Sequence, residues 1–201
     1  MATTRHLVLF VRAPQLGVGK RRLARDIGDV AALRFERAML ALMLRRLAGD
    51  RRWRLRLVVT PRGARRRRLL WRRRMPIVAQ GSGDLGQCMR RALAACPPGP
   101  AVLIGSDIPM LAASHIAAAF RLLGRRDLVF GPTGDGGFWL VGARRSPRMP
   151  PLFGPVRWSS RHALADTLLN LPPRVSVGFA TRLDDVDDRA AFHRLAPRRG
   201  F

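Results

Sequence analysis

The 201-residue sequence has little or nothing of several residue types, and each shortage excludes a class of protein. Its two cysteines, Cys88 and Cys96, match no zinc or disulfide spacing and predict ordinary reduced thiols. No apolar run approaches the ~20 residues that a transmembrane helix needs. The first such run is ended by Arg12 and is too short for a signal peptide. We therefore expect a single cytoplasmic domain over residues 1–201, without a membrane span.

Acidic residues are also scarce, since 13 of them face 38 basic residues and leave a formal charge of +25. Tyrosine is absent, and lysine and asparagine occur once each. All three have codons rich in A and T, so their scarcity indicates a G/C-rich genome that has drifted towards arginine. The excess arginines are then expected on a solvated surface. The densest arginine runs, in residues 65–74, predict an arginine-coated helix without an aromatic platform for base stacking. We expect non-specific, salt-sensitive binding to polyanions, and specific nucleic-acid recognition is the less favoured alternative.

The single lysine lies in the most informative segment of the chain. Residues 6–11 are an apolar run that predicts a buried strand, which Pro14 ends. Gly17 and Gly19 allow tight turns, and a helical pattern begins at Lys20. A loop that enters a helix N-terminus is an anion site, where an ammonium can contact a phosphate. The loop is neither a Walker loop nor a dinucleotide fingerprint, because the glycine spacing differs.

Apolar runs and helical patterns alternate along the rest of the chain. This alternation predicts an α/β three-layer αβα sandwich with a mostly parallel sheet. Strands are expected at 55–60, 76–80, 101–105, 127–130, 138–141 and 175–179. Helices are expected at 29–47, 85–95, 111–123 and 159–169, with Ser159 as N-cap, and after Asp188 at the C-terminal end.

Several polar groups follow the predicted strands. Asp84 lies in a second glycine-rich loop and is also a plausible helix N-cap. Asp107 follows a fully apolar strand, and Asp135 lies among the glycines of 131–137. The acidic residues at 184–188 could hold a metal or pair with arginines. Ligands bind at the carboxyl ends of strands in such sheets, so these groups predict a site for a nucleotide diphosphate or triphosphate with a divalent cation.

Six motifs, in this order, resemble a bacterial family with a GT-A-like fold. They are Arg12-Ala13-Pro14-x-x-Gly17-x-x-Lys20-x-Arg22-Leu23, Gly83-Asp84-Leu85-Gly86-x-x-Met89, Gly105-Ser106-Asp107-x-Pro109-x-Leu111, Gly131-Pro132-x-x-Asp135-Gly136-Gly137-Phe138-Trp139-Leu140, Trp158-Ser159 and Asp185-Val186-Asp187. The family, formerly of unknown function, includes arsenosugar biosynthesis glycosyltransferase-like proteins. The resemblance implies a nucleotide-diphospho-sugar transferase fold related to nucleotidyltransferases.

The resemblance also implies roles for individual residues. Nucleotide and phosphate contacts are expected from Arg12, Pro14, Gly17, Lys20, Arg22, Gln80, Gly83 and Asp84. Asp107 and Asp187 would bind Mg²⁺ or Mn²⁺, and Asp107 and Asp135 would be catalytic. Gly136, Gly137, Phe138 and Trp158 are expected on the acceptor side.

Three functions are compatible with these residues. The favoured one is a metal-dependent glycosyltransferase that uses a nucleotide-diphospho-sugar donor and an unidentified small-molecule acceptor. The alternative is a nucleotidyltransferase that moves a nucleoside monophosphate from a triphosphate to a phosphorylated acceptor. The chain departs from the family pattern at Arg21, Cys88 and Phe138. A catalytically degenerate, basic binding protein therefore stays open as a third interpretation.

Overall fold

A computed structural model describes residues 3–61, 63–64, 75–145 and 148–186. Three sequence predictions lie outside the described residues. They are the arginine-coated helix at 65–74, the metal ligand Asp187 and the helix after Asp188.

Within the described ranges the chain forms seven strands and five helices. The strands are β1 (His6–Arg12), β2 (Arg54–Thr60), β3 (Ile77–Ala79), β4 (Ala101–Ile104), β5 (Leu128–Pro132), β6 (Phe138–Ala143) and β7 (Val177–Phe179). The helices are α1 (Arg21–Ile27), α2 (Asp29–Leu47), α3 (Leu85–Ala94), α4 (Ala113–Leu122) and α5 (Ala163–Leu169).

The strands form one sheet in the order β3-β2-β1-β4-β6-β5-β7. Only β6 among them is antiparallel to its neighbours β4 and β5. The central strand β1 pairs in parallel with β2 and β4, so its residue His6 lies beside Arg54 and Ala101. All four residues of β4 are buried, as expected for a strand covered on both faces.

Helices cover both faces of the sheet. On one face, residues of α1, α2 and α4 such as Leu23, Met43 and Phe120 share a core with β1. On the other face, Met89 of α3 packs with Phe130 of β5, and residues of α5 join the edge of this core. The predicted three-layer, mostly parallel α/β fold is confirmed.

Local structure differs from the sequence expectation at two helix starts. The helical pattern after Lys20 is interrupted at Gly28, whose φ of 83° ends α1 and starts α2 in a new direction. The prediction that Ser159 caps a helix is wrong. Ser159 has a φ of 57°, and α5 begins only at Ala163. An N-cap residue has extended backbone, which the φ of Ser159 does not provide. Asp166 of α5 accepts hydrogen bonds from the Arg157 backbone N–H (3.0 Å) and guanidinium (2.7 Å), which joins the turns before α5 to the helix.

The Asp84 cap is confirmed, because its side chain accepts a hydrogen bond of 2.7 Å from the Gln87 backbone N–H. In the part of the chain that the structure describes, no helix is both long and apolar enough to cross a membrane. Cytoplasmic location stays a prediction.

Candidate functional site

The loop after β1 ends in an unusual backbone conformation at Lys20. This residue immediately precedes α1 and has φ 44° and ψ 44°, in the left-handed region. For a residue with a side chain, this conformation costs about 1–2 kcal/mol. Strained positions of this kind cluster at functional sites, where the surrounding structure holds them in place.

Lys20 forms an ion pair with Asp107. The Lys20 Nζ lies 2.5 Å from Asp107 Oδ2, and the lysine side chain is only 9% exposed. Asp107 follows β4, which pairs in parallel with β1, so the ends of adjacent strands bring the two residues together. The predicted convergence of the first loop and Asp107 at one sheet edge is therefore present.

A first cavity of about 360 Å³ lies between this loop and α2. It is lined by Val11, Arg12, Pro14, Val18, Gly19, Lys20, Arg21, Phe35, Glu36, Met39, Leu40, Ser106 and Asp107. Four of these were predicted site residues: Arg12, Pro14, Lys20 and Asp107. Gly17 belongs to the same loop, with a φ of 71°, but does not line the cavity. Arg22 is exposed on α1 and also lies outside the lining.

Glu36 of α2 is a lining residue that the sequence reasoning missed. A Cβ atom placed on Gly19 would lie 1.8 Å from Glu36 Oε1, so glycine at this position lets the carboxylate reach the loop backbone. Burial raises the pKa of Glu36, while Lys20 and Arg12 oppose the rise. One signal was present in the sequence, since Glu36 is the only glutamate of the chain.

The second glycine-rich loop is held in place by Arg91, another residue not predicted. Its guanidinium donates hydrogen bonds to the carbonyls of Gln80 (2.8 Å) and Ser82 (2.6 Å). The Gln80 side chain donates to the Val11 carbonyl at 3.5 Å, which links the end of β3 to β1. Gly83, with a φ of 106°, belongs to this loop. The next residue, Asp84, is the N-cap of α3. None of the predicted residues of this loop lines the first cavity.

A second cavity, of about 310 Å³, lies on the other side of Asp107. It is formed by the β5–β6 hairpin turn, the start of α3 and the turns before α5. Its lining is Leu85, Met89, Gly105, Asp107, Ile108, Thr133, Asp135, Gly137, Phe138, Trp139, Trp158, Ser159, Ser160, Ala163 and Asp185. Asp107 belongs to both cavities. The predicted acceptor-side residues Gly137, Phe138 and Trp158 are brought together here with Asp135.

Gly136 shapes the wall of the second cavity without lining it. Its φ is 85°, and a Cβ atom there would lie 2.1 Å from the Arg161 carbonyl oxygen. Its own carbonyl accepts a hydrogen bond of 3.0 Å from the Leu164 N–H. The hairpin turn and the start of α5 are thus joined through backbone atoms at this glycine.

Asp135 is oriented by its own turn. Its Oδ1 accepts hydrogen bonds from Thr133 Oγ1 (2.5 Å) and from the Gly137 N–H (3.0 Å). The carboxylate is exposed to the cavity mouth. A carboxylate fixed through one oxygen can accept a proton or hydrogen bond through the other.

Aromatic rings line one side of the second cavity. Phe138 and Trp158 meet edge to face at 6.3 Å between centroids, and Phe153 packs on both. A Cβ atom on Gly86 would lie 2.5 Å from the Trp158 ring, so glycine at the start of α3 admits the indole. The apolar face of a sugar or other small molecule can pack against such rings.

The described carboxylates offer oxygen ligands but do not by themselves form a complete metal site. Among the described residues, no group of three or more His, Cys, Asp or Glu side chains could hold a metal ion. Asp107 and Asp185 line the same cavity, and the Val186 N–H donates to the Asp107 carbonyl at 3.3 Å. Mg²⁺ is commonly bound by one or two carboxylates together with substrate phosphates. The donor set therefore fits a cation that arrives with a phosphate ligand.

A family model matches residues 43–160 of the chain. It describes an uncharacterized protein conserved in bacteria (DUF2064). The chain belongs to this family. None of the curated protein sequences matches the chain.

Solved structures similar to this DUF2064 protein include one from Desulfovibrio desulfuricans G20, provisionally described as a nucleotide-diphospho-sugar transferase. It is 25% identical to this chain, and the TM-score is 0.89. The match covers 100% of this chain and 90% of the Desulfovibrio chain. Glucosyl-3-phosphoglycerate synthase from Mycobacterium tuberculosis, solved with Mn²⁺, UDP and product, is 14% identical, with 99% and 81% coverage and a TM-score of 0.54.

A third similar structure is CMP:2-keto-3-deoxy-manno-octonic acid synthetase complexed with CTP. It is 9% identical, with 97% and 98% coverage and a TM-score of 0.61. At these low identities the second and third structures show a shared fold alone. The resemblance and the nucleotide-diphospho-sugar transferase-like fold expected from the six motifs are confirmed.

Proposed function

We propose that this single-domain protein is a metal-dependent glycosyltransferase, which takes a sugar from a nucleotide-diphospho-sugar and transfers it to a hydroxyl of an uncharged small molecule. The observation that carries this proposal is the position of Asp107 between two cavities that differ in their basic residues. One is lined by Arg12, Lys20 and Arg21, and the described lining of the other contains no arginine or lysine.

The first cavity suits the diphosphate of the donor. Lys20 and Arg12 provide the positive charge that stabilises the departing nucleoside diphosphate, where negative charge develops as the bond breaks. Asp107, with Asp185 and the predicted ligand Asp187, would hold Mg²⁺ or Mn²⁺ on the diphosphate, and this cation would act as a Lewis acid. The Mn²⁺ and UDP of glucosyl-3-phosphoglycerate synthase support a cation of this kind in the fold.

The second cavity suits an acceptor hydroxyl. Its rings provide an apolar surface, and Asp135 can accept the hydroxyl proton. In the reaction the bond between the sugar carbon and the diphosphate oxygen breaks, and a bond from the acceptor oxygen to that carbon forms. The nucleoside diphosphate leaves with the bonding electrons.

Nucleotidyl transfer is the second candidate, and the lysine-bearing loop supports it, because such a loop suits a triphosphate equally well. A nucleotide triphosphate accompanies the synthetase that shares this fold. That reaction needs a phosphorylated acceptor, for which a cavity whose described lining has no arginine or lysine is poorly suited. A degenerate binding protein is the third interpretation, and it predicts that Lys20 and Asp107 can be replaced without loss of ligand affinity.

The deciding experiment is a thermal-shift panel of nucleoside triphosphates and sugar nucleotides, each with and without Mn²⁺. Salt at ~0.3 M suppresses binding to the arginine-rich surface. We expect a metal-dependent shift with one sugar nucleotide, lost in Asp107→Ala and kept in Asp26→Asn, an exposed aspartate on α1. A shift with a triphosphate alone, followed by release of pyrophosphate, would support nucleotidyl transfer instead. Equal shifts with every polyanion would reject both enzymes.

A further inference from the structure

The only lysine and the only glutamate of the chain lie in the same cavity. Lys20 is the only lysine among 38 basic residues, and all the others are arginines. Glu36 is the only glutamate among 13 acidic residues, and all the others are aspartates. They are sixteen positions apart and come from different elements, the β1–α1 loop and α2. Two residue types that occur once each in the sequence therefore line one cavity.

Four charged groups of this cavity form a cluster. Glu36 interacts electrostatically with Arg12, Lys20 and Asp107, so the cluster has two charges of each sign. The third basic residue of the lining, Arg21, donates a hydrogen bond of 3.0 Å to the Gly17 carbonyl and lies 3.5 Å from Asp29. A site intended only for phosphate would instead carry a net positive charge.

Lys20 is the buried, ion-paired member of this cluster. Its side chain is almost fully buried and is paired with Asp107 at 2.5 Å. A buried ammonium is costly unless it is paired. If a cation binds Asp107, Lys20 loses that partner, and Glu36 remains as a negative charge close to it. The ammonium can then turn to a phosphate without being left unpaired.

We propose that Glu36 is a specificity-determining residue: with the Lys20–Asp107 ion pair, it keeps the empty site neutral, so that a diphosphate binds only together with its divalent cation. The inference rests on the donor site of the proposed function. Without the cation, an incoming diphosphate meets two carboxylates. With the cation on Asp107, the same cluster carries two net positive charges.

Glu36→Gln separates this role from simple packing. Glutamine has nearly the same shape, so it keeps the contact with the Gly19 backbone and removes only the charge. Asp26→Asn removes the same charge from an exposed position on α1 and is the matched control. The probe is inorganic pyrophosphate, titrated calorimetrically with and without Mn²⁺ at ~0.3 M salt.

For the wild-type protein we expect pyrophosphate to bind about tenfold or more tightly with Mn²⁺, as nearby charges shift such equilibria by one or more powers of ten. For Glu36→Gln, metal-free binding should become about tenfold tighter, because the cluster then carries a net positive charge without the cation. Metal-free binding that is the same in wild type and Glu36→Gln would overturn the role of Glu36 alone. No pyrophosphate binding under either condition would reject the donor site and this inference with it.

A second variant tests the ion pair without relying on Glu36→Gln folding. Lys20→Met leaves Asp107 without its ammonium partner, so Mn²⁺ alone should bind about tenfold more tightly. Electron paramagnetic resonance measures this affinity directly. Unchanged or weaker Mn²⁺ binding in folded Lys20→Met would show that Lys20 does not compete with the cation, and would overturn the proposal.

Discussion

The two cavities on either side of Asp107 differ in charge far more than the rest of the chain would suggest. The first is lined by three basic residues and two carboxylates, and Lys20 is paired with Asp107. The described lining of the second has three aspartates, aromatic rings and no basic residue, although the chain contains 38. The described lining of the second cavity therefore contrasts with the high arginine content of the chain.

The two cavities also differ in how they are built. The first depends on a strained loop and a long helix, which approach each other at Gly19 and Glu36. The second depends on the β5–β6 turn and a ring cluster, which backbone contacts at Gly136 hold together. Substitutions can therefore disturb one cavity and leave the other intact, and Asp107 alone should affect both.

Replacing Asp107 with alanine should have the largest effect. It removes the carboxylate shared by the two cavities and the partner of the buried Lys20 ammonium. We expect the rate of sugar transfer to fall about a thousandfold or more, with metal-dependent donor binding lost as well. Steady-state release of nucleoside diphosphate and calorimetric donor titration check both parts. A variant that keeps donor binding would assign Asp107 to the second cavity only.

Asp135→Asn should affect the second cavity alone. The amide cannot take the acceptor proton, so kcat should fall about a hundredfold while the Kd of the donor stays within about twofold. The same two assays measure kcat and donor affinity separately. A large loss of donor affinity would contradict the division between the cavities.

A matched pair of glycine substitutions compares the rigidity of the two walls. Gly136→Ala combines a positive φ with a clash against the Arg161 backbone, which cannot move aside. We expect it to lower the free energy of unfolding by about 2 kcal/mol. Gly19→Ala meets only the flexible end of Glu36 and should cost less than half as much. Urea unfolding of both variants gives the comparison, and equal losses would show that the Glu36 carboxylate is held rigidly.

The smallest effect is expected from acid. Hydrogen bonds from Arg157 hold the pKa of Asp166 well below its usual range. The unfolded chain then takes up the proton more readily as pH falls, so this stabilisation is complete above about pH 4 and is lost below it. Between pH 6 and pH 3, wild type should lose more stability than Asp166→Asn in urea unfolding. Equal losses would mean that this ion pair does not stabilise the turns beside the second cavity.

Most of the fold could be predicted from the sequence because buried parallel strands consist of continuous apolar runs. β1, β2 and β4 were found within one residue of their ends in this way. Helix starts were less predictable. Ser159 has a good capping side chain, but its backbone is left-handed and lies in turns before α5. The Arg157–Asp166 contact beside these turns is formed across nine residues, so the local sequence pattern does not reveal it. Glu36 was missed because nothing in the local pattern of α2 distinguishes it from a solvated helical residue.

The sequence by itself determined the residue types at the sheet edge: one lysine in a glycine-containing loop, and aspartates after apolar strands. Local propensity and hydrophobic burial are enough to place them there. Only the tertiary structure decided which of them meet. Parallel pairing of β1 with β4 places Lys20 next to Asp107. Antiparallel pairing of β6 with β4 places the Asp135 turn at the same edge of the sheet. Helix α2 brings Glu36 close to Gly19. Electrostatic interactions at a few ångströms depend on these approaches, and sequence separation does not encode them.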